Sequence, residues 1–151
     1  MNEQLKTALF EQCEQSINER LTTIQKTISE LQNALQSETK STAGDKHETG
    51  RAMVQLEREK AGQQLAQIQK QFQVLNKIKQ SKTSKIIGLG AVILTSKSNY
   101  FIAISTGALT VGSKTFYAIS PQTPIARLLI GKTVGDMVEF RTERFEILDV
   151  W

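Results

Sequence analysis

This chain is poor in the residues that build cross-links and metal clusters. Its 151 residues include one cysteine, one histidine and two prolines, and both prolines lie beyond residue 120. A single thiol cannot form a disulfide within the chain, so packing has to hold the fold together. A cysteine nucleophile needs a positioned base, and His47 is the sole histidine that could act as one. We therefore expect Cys13, which lies in a helical pattern, to be a small buried residue.

Long apolar runs and blocks of one charge sign are also missing. No segment approaches the roughly 18 apolar residues of a membrane helix, and residues 1–12 lack the apolar core of a signal peptide. We therefore expect a cytoplasmic protein with no membrane partner. The net charge of +4 is spread over both halves of the chain, which is too thin to indicate direct nucleic-acid binding.

Aromatic residues are scarce, at 6% of the chain, and most of them lie in its second half. The first half instead carries apolar residues at alternating spacings of four and three, a period of about 3.5 residues that predicts a coiled-coil helix. The series consists of Ile17, Leu21, Ile24, Ile28, Leu31 and Leu35, and Phe10 extends it upstream.

A second series with the same period follows a turn-like segment, STAGDKHETGRA, at residues 41–52. Its members are Val54, Ala61, Leu65, Ile68, Phe72 and Leu75, while Met53, Leu56 and Ile78 widen the apolar stripe. Two helices of similar length joined by a short turn predict an antiparallel coiled-coil hairpin over residues 1–80, with its tip at about 40–50. Pairing between chains is the alternative for the same pattern.

The pattern changes after a polar stretch, and we predict a linker at residues 81–85. Beyond it, short β-branched and aromatic segments are bounded by Gly, Ser and Asn, which is typical of strands. The segments IIGLGAVILT, NYFIAIS, TFYAIS, DMVEFR and RFEILDV are the predicted strands. PIARLLIGK predicts a short helix with Pro124 in its first turn. Residues 86–151 therefore read as a small α+β domain with a mostly antiparallel sheet.

Two acidic residues in the predicted tip have two interpretations. Asp45 and Glu48 stand three residues apart, as in a capping box that satisfies the first backbone N–H groups of a helix. Carboxylate oxygens are also the ligands that Mg²⁺ prefers. Lys46, His47 and Arg51 beside them are either solvated or contact phosphate. Spacing alone leaves both interpretations open.

The end of the chain resembles a known family. Residues 119–150 are similar to the C-terminal domain of Gre-type transcript cleavage factors, in which Ile-Ser, a Pro-containing helix, Gly-Lys, Val-Gly-Asp and a closing Glu-Ile-Leu strand follow one another. The matching residues are Ile119, Ser120, Thr123, Pro124, Ile125, Arg127, Leu129, Gly131, Lys132, Val134, Gly135, Asp136, Val138, Glu146, Ile147 and Leu148. The tip also resembles that family, with Gly44, Asp45 and Glu48 in its Gly-Asp-x-x-Glu stretch.

The resemblance implies a fold and a partner. The fold is α+β, with an N-terminal antiparallel coiled-coil hairpin followed by a small FKBP-like domain. The implied partner is bacterial RNA polymerase, whose secondary channel the coiled coil enters so that the tip reaches the RNA 3′ end. By the same resemblance Pro124, Ile125, Arg127 and Leu128 form the docking region on the rim of that channel.

The resemblance also implies an activity. Asp45 and Glu48 would help to hold a Mg²⁺ ion shared with the polymerase, which then cleaves its own backtracked RNA. Lys46, His47 and Arg51 would be accessory tip residues. The chain would bind no cofactor alone and would be an accessory factor rather than a free-standing enzyme. We expect it to be a monomer.

Two alternatives stay open. After Glu48 the tip departs from the family pattern, with Gly50 and Arg51 in place of an acid and an aromatic residue, and this keeps open a regulator that occupies the secondary channel without stimulating cleavage. The other alternative is a coiled-coil interaction module that presents the small domain to an unrelated partner. The first predicts polymerase binding without RNA shortening, and the second predicts a dimer and no polymerase binding.

Overall fold

The computed structural model describes the backbone of residues 2–40 and 44–151, and the side chains of residues 3–37 and 49–151. Two long helices precede a mixed six-stranded sheet, so the chain has the predicted α+β class. The elements are α1 (Asn2–Lys40), α2 (Gly44–Gln80), β1 (Val92–Thr95), β2 (Asn99–Ile102), β3 (Gly107–Val111), β4 (Lys114–Ile119), α3 (Pro124–Leu129), β5 (Met137–Phe140) and β6 (Glu143–Val150). Of the helices in the described part of the chain, none combines the length and the apolarity that a membrane span requires.

Contacts divide the chain into two compact units. One consists of Met1–Ser16 with Phe72–Trp151, and the other is Ile17–Gln71. The first unit thus contains the start of α1, the end of α2 and the whole sheet. The sequence-based bounds at 1–80, 81–85 and 86–151 stay a prediction.

In the unit Ile17–Gln71, the helical hairpin is held by the predicted heptad positions. Ile17, Ile24, Ala61 and Ile68 are buried, since a period of 3.5 residues keeps them on one side of each helix. The Arg20 guanidinium donates a hydrogen bond from Nη1 to Gln71 Oε1 at 2.8 Å, which joins α1 to α2. The hairpin therefore has a narrow apolar seam between polar faces.

The prediction that Met53 and Leu56 widen this seam is wrong. Their side chains are 65% and 64% exposed. Val54 lies between them in sequence and is half-buried, because a step of one residue turns a helix by about 100°. Of these three apolar residues, Val54 alone is therefore partly buried.

The six strands lie in the order β3-β4-β2-β1-β6-β5. Four of the five neighbouring pairs are antiparallel, and β2 with β4 is the parallel pair. β3 was not among the predicted strands, and it pairs with β4 at the edge of the sheet. β3 and β4 form a hairpin, and β4 is the strand of that hairpin that lies beside β2. This order makes β2 and β4 parallel.

Each face of the sheet carries its own apolar layer. On one face, α3 packs over a core whose buried members include Ile93, Ile102 and Ile147. Phe101 and Phe116 alternate onto the other face, and both are fully buried. The start of α1 reaches the same unit, since Gln12 Nε2 donates to the Thr110 carbonyl oxygen at 2.9 Å.

Cys13 confirms its prediction as a small buried residue. Its side chain is fully buried and its Sγ lies 3.8 Å from Thr106 Oγ1. Burial raises the pKa of the Cys13 thiol, and the Thr106 hydrogen bond partly opposes that rise. The neutral thiol is therefore the favoured form, as expected for a packing residue rather than a nucleophile.

The segment before β1 was predicted as strand, but β1 begins only at Val92. Gly90 has a φ of +87°, a left-handed conformation outside the range of strands. A Cβ at this position would lie 3.2 Å from Ile78 Cγ2, closer than ordinary van der Waals contact. Gly90 therefore combines a turn with a close approach to the end of α2, and the extended backbone of β1 begins only after it.

The turn between β5 and β6 is a strained feature of the sheet. Arg141 and Thr142 have φ values of 50° and 71°, the positive pair that a two-residue type I′ hairpin requires. Thr142 is β-branched, so its side chain crowds the backbone in this conformation. We expect Thr142→Gly to raise the free energy of unfolding by about 1 kcal/mol, because glycine adopts positive φ without that crowding.

Urea titration followed by the fluorescence of Trp151, the sole tryptophan, measures this change. Trp151 is buried and its backbone N–H donates to the Val92 carbonyl oxygen, so its signal reports on the sheet. Thr115→Gly is the matched control, since Thr115 is an exposed residue inside β4. Glycine there should lower stability instead. A lowered midpoint for Thr142→Gly would show that the turn is not strained by its side chain.

Candidate functional site

The predicted docking region coincides with α3. Thr123 is the N-cap of this helix: its hydroxyl accepts a hydrogen bond from the Ala126 N–H at 3.3 Å and donates to the Ser120 carbonyl oxygen at 2.8 Å. Pro124 follows as the first helical residue, where its missing N–H costs nothing. In the sequence TPIARLL, the threonine cap and the proline therefore fix the start of α3 at Pro124.

α3 has a buried face and an exposed face. Ala126 and Leu129 are fully buried in the core over the sheet, and Ile125 joins them with 9% of its surface exposed. Pro124, Arg127 and Leu128 are exposed, Leu128 by 40%. Ile125 is therefore removed from the predicted docking surface, because at helical spacing it falls on the side that packs against the sheet.

The glycine and lysine after α3 connect the helix to the segment before β1. Gly131 has a φ of +89°, and its N–H donates to the Ile87 carbonyl oxygen at 2.8 Å. The Ile87 N–H donates in return to the Lys132 carbonyl oxygen at 2.9 Å. This reciprocal pair fixes the end of α3 against the buried Ile87, which gives the Gly-Lys part of the family-like motif a structural role.

The Val-Gly-Asp part of that motif forms a tight turn into β5. The Thr133 N–H donates to Asp136 Oδ2 at 2.8 Å, and the Asp136 N–H donates to the Thr133 carbonyl oxygen at 3.1 Å. Gly135 has a φ of +92°, the conformation that a type II turn needs at its third residue. The carboxylate of Asp136 therefore stabilises a turn, which explains its place in the motif without a catalytic role.

The predicted tip lies at the start of α2. This helix begins at Gly44, so the backbone of Asp45 and Glu48 belongs to its first turn. The capping interpretation placed Asp45 ahead of the helix, whereas α2 already includes it. The side chains of Asp45, Lys46, His47 and Glu48 lie outside the described residues.

Arg51 is the predicted tip residue whose side chain is described, and it is exposed on α2. It stands three residues after Glu48, the spacing at which two side chains on a helix are neighbours. A cation at this position would lower the repulsion between tip carboxylates and would also compete with a metal ion for them.

No group of three or more His, Cys, Asp or Glu side chains within the described ranges 3–37 and 49–151 is placed to hold a metal ion. Asp45 and Glu48, three residues apart in α2, would supply two carboxylates to a metal ion. Mg²⁺ takes six oxygen ligands, several of them water, so two carboxylates supply part of a ligand set. Such a pair fits an ion whose remaining ligands come from a partner.

A groove that the sequence did not indicate lies beside the first turns of α1. Its volume is about 460 Å³, and Glu3, Lys6, Phe10, Ile78 and Lys79 are among the residues that line it. Burial lowers the pKa of Lys6 in this groove. The lining residues come from the start of α1 and from the end of α2 with the residues after it, which are far apart in the chain, so no local pattern could have indicated the groove.

A second feature missed by the sequence is a row of aromatic rings across three strands. The ring centroids of Tyr100 and Tyr117 are 6.2 Å apart with an interplanar angle of 43°, and those of Tyr100 and Phe145 are 6.5 Å apart at 36°. We call Tyr100, Tyr117 and Phe145 the aromatic ledge. The ledge extends the α3 face of the sheet beyond the helix, because Tyr100 pairs with Ile93 and Tyr117 with Tyr100 in register.

No protein-family model matches this chain, and no curated protein matches it significantly.

Proposed function

We propose that this chain is a Gre-type accessory factor that binds bacterial RNA polymerase through its secondary channel and stimulates cleavage of backtracked RNA. The observation that carries the proposal is the position of two carboxylates, Asp45 and Glu48, in the first turn of the second of two long helices. The motif resemblance of residues 119–150 adds to this observation.

An FKBP-like fold for the second half belongs to the same proposal. A mixed sheet of six strands with one short helix packed on a single face supports it. The loops that carry the Gly-Lys and Val-Gly-Asp motifs are held by backbone hydrogen bonds to Ile87 and Ile147, which gives these residue types a physical reason. Fold alone does not carry an activity, so we infer no isomerase function from it.

The chain's part in the reaction follows from its charges. Asp45 and Glu48 stand three residues apart at the start of α2. The N-terminus of a helix favours negative charge, so acidic residues suit this position. Mg²⁺, when bound in the complex, supplies charge stabilisation for phosphoryl transfer. The two carboxylates contribute ligands and orient water, and the polymerase supplies the remaining groups.

Docking of the second half uses the exposed face of α3. Pro124, Arg127 and Leu128 offer a cation between two apolar side chains, and Leu128 is 40% exposed. Ile130 adds an equally exposed apolar residue at the end of the helix. A small apolar patch with a charged neighbour is typical of a transient protein interface.

A non-cleaving regulator of the same channel is the second candidate. The observation that favours it is the exposed Arg51, three residues after Glu48, which offers a cation where an active tip needs free carboxylates. A coiled-coil interaction module is the third candidate, favoured by the exposed Met53 and Leu56 on α2. All three candidates place the chain as a binding protein rather than a free-standing enzyme.

One assay separates the three candidates. The wild-type chain is added to a stalled, backtracked elongation complex with Mg²⁺, and RNA length and polymerase binding are both measured. We expect the RNA to be shortened from its 3′ end in the presence of the chain. Binding without shortening would replace the proposal by the regulator, and a dimer that fails to bind polymerase would replace it by the interaction module.

A further inference from the structure

The two edges of the six-stranded sheet are β3 and β5, and each is the first strand of a hairpin whose turn has two residues. The pair of residues that flanks such a turn exchanges hydrogen bonds, and the next pair turns its N–H and C=O groups away from the partner strand. Thr110 in β3 and Glu139 in β5 occupy that next position. Their backbone groups therefore point to the edges of the sheet.

The edge at β3 is partly covered by the chain itself. The Thr110 carbonyl oxygen accepts a hydrogen bond from Gln12 Nε2 at 2.9 Å. This contact agrees with the hairpin pattern, which turns the backbone of Thr110 away from β4. Gln12 lies in α1, in the same compact unit as the sheet. A helix side chain therefore occupies part of this edge.

Within the described part of the chain, the edge at β5 is uncovered. The hairpin pattern turns the N–H and C=O groups of Met137 and Glu139 outward. The Asp136 carbonyl oxygen accepts from the Ile147 N–H at 2.9 Å and so faces β6, which agrees with this alternation. Among the described residues, Met137 and Glu139 form no hydrogen bond outside the β5–β6 ladder, and both are exposed, Met137 by 52%. Such a row of donors and acceptors can pair with another strand.

The outward groups of β5 are complementary to themselves. If a second β5 lies antiparallel beside the first, with a two-fold axis at Val138, Met137 lies opposite Glu139 of the second copy. Each of the two such pairs exchanges two hydrogen bonds, so every outward N–H and C=O group of the strand is used. A shift of two residues leaves one bonded pair, and a shift of one residue sets outward groups against inward ones. One register therefore satisfies the whole edge.

The charges of β5 favour the same register. A shift of two residues in one direction would set Glu139 directly against its own copy, and like charges directly opposite are destabilising. The two-fold register sets Glu139 against Met137 instead. It also sets Phe140 opposite Asp136 of the second copy, and the Arg141 guanidinium carbon lies 5.0 Å from the centroid of the Phe140 ring. Opposite charges therefore approach one another at both ends of the paired strands.

We propose that β5 pairs antiparallel with β5 of a second copy of this chain, about a two-fold axis at Val138, so that one sheet continues across two chains. The contact is short, so the dilute chain is a monomer and the association depends on concentration. β5 belongs to the unit that contains the sheet, whereas Asp45 and Glu48 belong to the unit Ile17–Gln71. The proposal therefore goes beyond transcript cleavage and is tested without polymerase.

Sedimentation of the full chain tests whether the association occurs. We expect the average mass to rise from 16.9 kDa towards twice that value between about 20 µM and about 1 mM, as for a weak, transient interface. A mass that stays at the monomer value over this range would overturn the proposal.

Amide hydrogen exchange, followed residue by residue by nuclear magnetic resonance, locates the contact. Over the same concentration range the amides of Met137 and Glu139 should exchange at least about threefold more slowly, because they become hydrogen-bonded. The amides of Ala108 and Thr110 hold the equivalent positions at the β3 edge and should not change. Slower exchange at the β3 edge or along the helices, without Met137 and Glu139, would overturn the proposal.

Variants separate backbone pairing from charge. Glu139→Pro removes an outward N–H and leaves the bonds to β6, so we expect association at least about tenfold weaker. Thr110→Pro, at the equivalent position of the other edge, is the matched control and should associate as the wild type does. Wild-type association of a folded Glu139→Pro variant would overturn the proposal.

A second variant keeps the backbone unchanged. Arg141→Glu sets a carboxylate near Asp136 of the second copy and should weaken association about fivefold. Lys114→Glu makes the same change of charge at an exposed residue of β4 and should have no effect. Equal association of these two variants would contradict the two-fold register and overturn the proposal.

Discussion

Asp45→Asn is expected to lower the rate of factor-stimulated RNA cleavage by about a hundredfold, because a neutral amide replaces an anionic ligand of a metal ion in the reacting complex. Asparagine has nearly the same size as aspartate and is also a favoured residue at helix starts. Removal of the charge costs α2 at most about 1 kcal/mol, through its interaction with the helix dipole. The substitution therefore separates a ligand role from a helix-starting role.

Polymerase binding is expected to survive this change. The docking side chains Pro124, Arg127 and Leu128 are far along the chain from Asp45 and belong to a unit with its own core. Binding of the variant to the backtracked complex can be measured by competition with the wild-type chain, and circular dichroism reports whether the helices remain. Loss of cleavage with binding and helicity retained is the expected result.

Glu57→Gln is the matched control for Asp45→Asn. Glu57 is an exposed carboxylate on the same helix, beyond the tip, and its removal changes the net charge of the chain by the same amount. We expect wild-type cleavage from this variant. Wild-type cleavage by Asp45→Asn as well would show that the acid acts only in helix formation, and the proposed catalytic role of the tip would then be abandoned.

A second acid refines the same experiment. If Asp45 and Glu48 hold one ion together, the double variant should lose little more activity than Asp45→Asn alone, since residues that act as a unit are not additive. Independent losses that multiply would assign the two carboxylates to separate tasks, such as a metal ligand and a water-positioning group.

The two long helices were predictable because their signal is local and repeated. Ile17, Ile24, Ala61 and Ile68 recur with the period of the helix, and each repetition adds to the same conclusion. At the helix base the seam differs from its prediction. Leu9 and Cys13 are fully buried there, while Phe10 is only half-buried, because these residues belong to the unit that contains the sheet. Contacts with a distant part of the chain leave no local pattern.

The sheet was predictable in class but not in topology. β3 has a single buried residue, Leu109, so it lacks the repeated apolar alternation that marks a strand. The parallel pairing of β2 with β4 joins residues about 17 positions apart, across the hairpin of β3 and β4. A one-residue shift would have exchanged the two faces, and only the completed packing selects between these registers.

The same limit applies to the candidate sites. The tip could be proposed from sequence because its two acids lie close together in the chain and between two periodic series. The aromatic ledge could not, since Tyr100, Tyr117 and Phe145 come from three strands whose order depends on long-range pairing. The docking region was predictable in part. The sequence motif indicated the helix α3, but it did not indicate that Ile125 lies on the buried side of that helix.

Phe116→Ala is expected to lower the free energy of unfolding by about 3–5 kcal/mol, the largest effect on stability that we predict. Phe116 is fully buried in β4, and its neighbours in register, Leu109 and Asn99, lie on the strands to either side. Phe101 is fully buried on the same face of the sheet. Truncation of Phe116 therefore leaves a cavity in a packed interior that solvent does not reach.

Tyr117→Ala is the matched control, because Tyr117 is the next residue of the same strand but is 43% exposed on the opposite face. It removes a similar volume and a similar strand preference, yet should cost about 1 kcal/mol or less. Thermal unfolding followed by Trp151 fluorescence should therefore show a melting temperature lower by roughly 10 °C for Phe116→Ala and by a few degrees for the control. Equal losses would mean that strand preference, rather than burial of one face, controls stability. The two faces of the sheet would then contribute alike, and the assignment of the second apolar layer would be wrong.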